Sequence, residues 1–275
     1  MRSLILILLV IALSAVSADA ASYNIDNDPG HVLYGNLDQN GAAMVTALGQ
    51  DLANQYCGPV AVTNSFRYLE NKYPTVYGNN LTSGNLVGTA MGLGDLMGTD
   101  FINGTWWDDL IWYKMIDLES KVPGMTDYQA QHMPGWNWNI WDNPAAAKPA
   151  WVESTVPTWQ FLWEKLVNCE DIEILMNWSG GGHFVTVKSF HWNDADNDNI
   201  IDIAENATFD YINPWTGASG VSSIWQDSLG NPLETNYASG AYISMMVSET
   251  PVPEPAAITL LGLGALGLIR RRKSP

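Results

Sequence analysis

The chain has little positive charge. Only 12 of its 275 residues are Lys or Arg, against 29 Asp and Glu, a formal net charge of −17. Five of the bases (Arg2, Arg270, Arg271, Arg272 and Lys273) and two of the acids (Asp19 and Glu254) sit in the tails. The stretch between carries 7 bases and 27 acids, a net of −20. Such a body lacks the cations that release counterions from a phosphate backbone, which excludes nucleic acid as a partner. Cationic or neutral partners, or bound metal, suit it better. Cysteine is also scarce. Cys57 and Cys169 are the whole complement, and in an oxidising compartment an even pair can form a disulfide. Charged residues make up 15% of the chain and hydrophobic ones 47%. That is too apolar for disorder and enough for one domain of ordinary size, or two small ones. There is no internal repeat and no collagen-like or heptad bias.

The two ends read as addresses. Residues 1–20 have the parts of a secretory signal peptide: Arg2, an apolar run from Leu4 to Ala12, and small residues at Ala18-Asp19-Ala20. The other end has Val252-Pro253-Glu254-Pro255, an apolar run from Ala256 to Ile269, then Arg270-Arg271-Arg272-Lys273. This order resembles the PEP-CTERM sorting signal of Gram-negative bacteria that make exopolysaccharide. The resemblance implies cleavage near Pro253-Glu254-Pro255 by an exosortase-type enzyme and a place in the cell envelope, surface or matrix. The only expected membrane contact is through residues 249–275, with the basic cluster on the cytoplasmic side. Ser248 to Pro255 forms a proline-stiffened linker. The body, 21–248, is expected to be one domain.

Three local signals in the body carry chemistry. The first is Asn54-Gln55-Tyr56-Cys57-Gly58-Pro59-Val60-Ala61. Val60 to Lys72 reads as a helix with Ala61, Ser65, Tyr68 and Leu69 on one face, and Pro59 suits its first turn. Cys57 then stands at a helix N-terminus, where the dipole and free N–H groups favour a thiolate. The second is Gly180-Gly181-Gly182-His183-Phe184-Val185. It follows a strand at Ile172 to Trp178, and His183 opens the next strand. The third is Phe209-Asp210-Tyr211-Ile212-Asn213-Pro214-Trp215, a short strand ending in a turn. Asn213 there is placed to hold an imidazole.

In this order, residues 50–217 resemble the papain-like cysteine peptidases, nearest to the bacteriocin-processing (double-glycine leader) branch. The resemblance implies an α+β, papain-like fold, with an N-terminal catalytic helix packed on an antiparallel sheet. It implies Cys57 as nucleophile, His183 as general base and Asn213 as the residue orienting the histidine. The substrate would be a peptide or protein. The family also places an oxyanion-hole glutamine about six residues before the cysteine. Gln50 lies seven before and Gln55 two before; Gln50 is preferred, with a one-residue loop insertion.

Asp194 to Glu205 matches the twelve-residue EF-hand loop. Side-chain ligands would be Asp194, Asp196, Asp198, Asp202 and Glu205, with the Ile200 carbonyl at position seven. Asn199 replaces the usual glycine and tolerates the left-handed backbone. The flanks read as strand, so a structural Ca²⁺ is expected in an isolated loop that staples the His183 segment to the Asn213 segment. Residues 101–151 form a Trp-rich insertion holding Trp106, Trp107, Trp112, Trp136, Trp138, Trp141 and Trp151. Its Trp136 to Trp141 alternation suits an exposed strand or groove wall, although core packing accounts for such rings equally well. Pro157 to Val167 reads as a helix. Two rival functions stay open. One is a non-catalytic, calcium-stabilised matrix module that binds exopolysaccharide or protein, with Cys57 tied to Cys169. The other is acyl transfer to an amine, as in transglutaminases.

Overall fold

The computed structural model describes residues 20–124 and 126–251. The signal-peptide stretch 1–19 and the sorting segment from 252 onward lie outside the described residues. The first element is strand β1 (Ala21–Asp26), followed by two short helices, α1 (Ala42–Leu48) and α2 (Gln50–Ala53). Next comes a long helix, α3 (Cys57–Lys72), then α4 (Pro74–Tyr77), α5 (Leu86–Leu96) and α6 (Trp107–Lys121). Strands β2 (Thr126–His132) and β3 (Val152–Glu153) lead to helix α7 (Trp159–Val167). Strands β4 (Asp171–Trp178), β5 (Gly181–Asp194), β6 (Thr208–Ile212), β7 (Ser219–Trp225), β8 (Glu234–Thr235) and β9 (Ala241–Pro251) follow, with a 3₁₀ turn at Ile203–Glu205.

Among the described residues every strand pair is antiparallel except β2–β3. Strand β4 pairs with both β5 and β9, while β5 also leads through β6, β7 and β8 back to β9. The six strands therefore close a ring, which hides the backbone groups that an open edge would leave unpaired. Strand β5 is long enough to hold β4 along its first half and β1 along its second. Alternation then sorts its side chains. Val185 and Val187 join the cluster under α7 with Ile172, Ile174 and Met176, while Phe184 joins Leu175 in the cluster under α3.

Helix α3 is buried on nearly every side, from Gly58 to Glu70. The one-face pattern read from Ala61, Ser65, Tyr68 and Leu69 was too narrow, because the sheet covers one side and α5 and α6 cover the others. Thr186 Oγ1 donates to the Ala61 carbonyl at 2.7 Å, fixing β5 against the helix. The helix also begins three residues earlier than the pattern suggested. Cys57 is its first residue, and Pro59 still falls in the first turn, where its missing N–H is not needed. The Trp-rich stretch is not a separate insertion, since α6 and β2 are part of the shared core. Nor do Trp136 to Trp141 form a strand; they run as irregular loop.

Candidate functional site

Tyr56 precedes α3 and supplies no side-chain cap. The first N–H groups of the helix are therefore free to face the Cys57 thiol. Burial pushes that thiol up from its ordinary value, and hydrogen bonds from the N–H groups of Phe184, Gly58 and Cys57 itself pull it partly back. Phe184 is adjacent to His183, so the thiol rests against the strand that carries the histidine. Gly58 lets the start of α6 and the Thr105 loop approach the helix start closely. A Cβ there would stand 3.0 Å from the Thr105 side chain and 3.2 Å from Leu110 Cδ1.

His183 is 3% exposed. Its Nε2 lies 3.0 Å from Asn213 Oδ1. The same oxygen accepts the Trp215 N–H at 3.0 Å. An oxygen that accepts a backbone N–H is the carbonyl end of the amide, so Nε2 carries the proton and Nδ1 keeps the lone pair. Tyr237 stacks on the imidazole, with centroids 5.4 Å apart, and Trp215 meets it edge-on at 5.8 Å. Burial drives the imidazole down to about 4, and the Asn213 hydrogen bond only partly opposes it. No hydrogen bond joins thiol to imidazole, and burial disfavours the charged form of each. Tyr237 links the pair: it stacks on His183, and its hydroxyl, pushed up to about 12 chiefly by burial, also feels Cys57.

A cleft of about 660 Å³ opens on Cys57. Gln55 lines it, as do Thr105, Trp107, Trp136 and Trp141. The tryptophans thus serve both readings given above: Trp138, Trp136 and Trp112 pack on the core, while Trp106 and Trp141 are exposed beside the cleft. Gln50 is elsewhere. It is exposed on α2, where its Nε2 donates to Asn40 Oδ1 and Asn54 Oδ1 at 3.1 and 2.9 Å. Of the two glutamines, the structure brings Gln55 to the thiol's cleft and leaves Gln50 on the surface.

Both cysteines are free. The Cys169 carbonyl accepts from Tyr68 and Tyr73 hydroxyls, each at 2.8 Å. Tyr68 stands three turns along α3 from Cys57, about 16 Å at 1.5 Å per residue. A disulfide needs Cα atoms within about 7 Å, so this fold keeps the two thiols apart.

The acidic loop hangs between β5 and β6. Carboxylate oxygens of Asp194, Asp196 and Asp198 lie within 4.8 Å of one another. Asp194 is buried, and its Oδ1 has no hydrogen-bond partner. Its Oδ2 accepts the Asn199 N–H at 3.2 Å, and Asp198 Oδ1 accepts the Ile200 N–H at 2.7 Å. Asn197 and Asn199 both take the left-handed conformation, with φ of 61° and 62°. Asp202 is raised by desolvation and by its neighbours Asp198, Asp196 and Glu205. Glu205 has a different job in this structure from the ligand role read for it. Its oxygens accept Trp192 Nε1 and Ala195 N at 2.7 Å each and Asp202 N at 3.1 Å, closing the loop on itself.

Sequence reading missed Trp215, Tyr237 and a buried charged cluster farther along β4. Lys114 of α6 pairs there with Asp171, Glu173 and Glu249, and Ser65 donates to Asp171. The signal was available: acids at alternate positions of an otherwise apolar strand, Asp171-Ile172-Glu173.

Residues 251–273 match the family model of the PEP-CTERM protein-sorting motif. That motif marks an exported protein that an exosortase-type enzyme sorts to the cell envelope of a Gram-negative bacterium. No curated protein matches the chain significantly. Among the described residues, no helix is long and apolar enough to cross a membrane.

Proposed function

We propose that this exported protein is a thiol peptidase of papain-like design, braced by a calcium loop. The observation that carries the reading is the His183 Nε2–Asn213 Oδ1 hydrogen bond at 3.0 Å. It leaves the basic nitrogen of a dry imidazole available on the strand against which a helix-terminal thiol rests. In the proposed reaction, Nδ1 takes the Cys57 proton as the sulfur attacks a peptide carbonyl carbon. Sulfur–carbon bonding pushes the carbonyl electron pair onto oxygen. The Cys57 N–H, at the start of α3, and the Gln55 side chain would hold that oxyanion. The imidazolium then gives its proton to the leaving amine, and water later cleaves the thioester by the reverse traffic. Asn213 keeps the ring in its tautomer, and Trp215 and Tyr237 keep water from it.

Calcium would take no part in these steps. Its support is the unpartnered Asp194 Oδ1, the converged aspartates and the two left-handed asparagines. Asp194, Asp196, Asp198, Asp202 and the Ile200 carbonyl are oxygen donors of the kind a hard cation takes, and Glu205 braces the loop around them.

The test is iodoacetamide trapping of the mature protein with calcium present, alongside peptide hydrolysis. Cys57 should be alkylated, and more slowly in His183→Ala. Hydrolysis should vanish in Cys57→Ala, and Gln55→Ala should cost about 100- to 1000-fold in rate. Labelling indifferent to His183, or hydrolysis that survives Cys57→Ala, overturns the reading.

A further inference from the structure

The cleft beside Cys57 has walls of unusual chemistry. Its lining includes Asp108 and Asp109 and no basic side chain. Both acids stand in the first turn of α6, where the helix dipole favours negative charge. The two differ in how they are satisfied. Asp108 Oδ2 accepts the Asn139 N–H at 2.6 Å and its Oδ1 accepts the Asp109 N–H at 3.2 Å. Asp109 uses only Oδ1, which accepts the Trp141 N–H at 3.0 Å. Among the described residues no hydrogen bond reaches its Oδ2, and the residue as a whole is 1% exposed. A carboxylate oxygen that lines a cavity with no donor from the protein keeps its acceptor capacity for whatever enters the cleft. Trp107, Trp136 and Trp141 line the same cleft, and an open indole face attracts cations.

The acid is also close to the chemistry. Leu110, the next residue along α6, is packed on Gly58. The first turn of α6 therefore abuts the helix start that carries the thiol. Burial pushes Asp109 up to about 7, and only the Trp141 N–H opposes this before Asp108 and Asp142 raise it further. The charged groups facing it are thus all acidic, and an incoming cation would restore the ionised form.

We infer that Asp109 and the tryptophans form a recognition subsite for a basic side chain, so that the peptides accepted beside Cys57 carry arginine or lysine. The inference rests on the peptidase reading for the nature of the substrate, but the recognition does not require catalysis. It can therefore be measured in the Cys57→Ala protein by calorimetric titration with two probes, acetyl-Gly-Arg-Gly-amide and acetyl-Gly-citrulline-Gly-amide. The two differ by charge at nearly constant shape. The arginine peptide should bind about tenfold tighter, as expected for one desolvated cation–carboxylate and cation–π contact. In Asp109→Asn the ratio should fall towards one. That variant keeps an oxygen for the Trp141 N–H, so the loop stays in place, and an unchanged circular dichroism spectrum would verify this. Equal binding of the two probes, no binding of either, or a preference that survives Asp109→Asn overturns the inference. A charge preference in a protein whose unmutated form hydrolyses nothing would sustain the subsite and refute the peptidase reading alone.

Discussion

Two carboxylate triples in this molecule look alike as lists of residues and differ in physics. Asp171, Glu173 and Glu249 bring oxygens within 4.8 Å of one another, and so do Asp194, Asp196 and Asp198. The first triple is buried under α3 and has its own cation. Lys114 Nζ reaches Asp171 at 2.8 Å and touches both glutamates. Burial alone would push Lys114 down, but the three carboxylates outweigh it and hold the ammonium charged. Burial raises Glu249 and Glu173, the latter to about 7, against the pull of Lys114. The core triple thus balances its charge internally, by one lysine and by protons. Among the described residues the second triple has no ion pair with a base, and only Asp194 of the three is buried. Its balance has to come from outside. The comparison teaches that a cluster of acids signals a ligand only where the fold has not already provided the counter-charge.

The largest effect that would sharpen this contrast is loss of Lys114. Lys114→Met leaves three buried carboxylates without their cation and should cost about 3–5 kcal/mol in urea unfolding. Added calcium should not rescue it. A neutral or stabilising outcome would mean the acids are already fully protonated.

The candidate site offers a second, pH-based test. His183 is held down to about 4 by burial, against an ordinary value near 6.5. The unfolded chain then binds the extra proton over that interval, so stability rises with pH. The contribution is fully present above about pH 6.5 and fades as pH falls towards 4. At 1.36 kcal/mol per unit it amounts to roughly 3 kcal/mol. His183→Phe should flatten the stability profile between those limits, and an unchanged slope would refute it.

Calcium removal comes next. With the ion at about 100 times its dissociation constant, binding adds about 2.7 kcal/mol, or roughly 5–10 °C in Tm for a chain of this size. Chelation should lower the melting temperature by that amount, and Asp194→Ala should abolish the calcium response. A melting curve blind to both calcium and chelator would make the exposed triple a plain solvated turn. The smallest effect is expected at Gln50. Its bonds are to exposed Asn40 and Asn54, so Gln50→Ala should change stability by under about 0.5 kcal/mol and leave Cys57 alkylation untouched.

Much of this was legible in the sequence because it is local. Pro59 in a first turn, the apolar run Ile172 to Trp178, and Asn213 opening the turn that closes with Gly217 N–H on the Asn213 carbonyl at 2.8 Å each follow from chemistry within a few residues. The acidic loop was legible for the same reason, since its left-handed asparagines and Asx bonds involve near neighbours. What failed was any judgement that needed distance in space. Spacing favoured Gln50 over Gln55, and only the tertiary fold turns Gln50 to solvent and brings Gln55 to the cleft. The two cysteines looked pairable until the length of α3 separated them.

The sequence by itself determined the sorting motif at residues 251–273, the helix that presents Cys57, the strands that lead to His183 and Asn213, and the acidic loop. These depend on backbone preference, side-chain period and short-range hydrogen bonds. Tertiary structure alone decided that Tyr237 and Trp215 enclose the imidazole, that Lys114 crosses from α6 to neutralise strand acids, and that the tryptophans wall a cleft around Asp109. Those outcomes depend on burial, which sets the cost of every charge and is a property of the whole fold rather than of any segment.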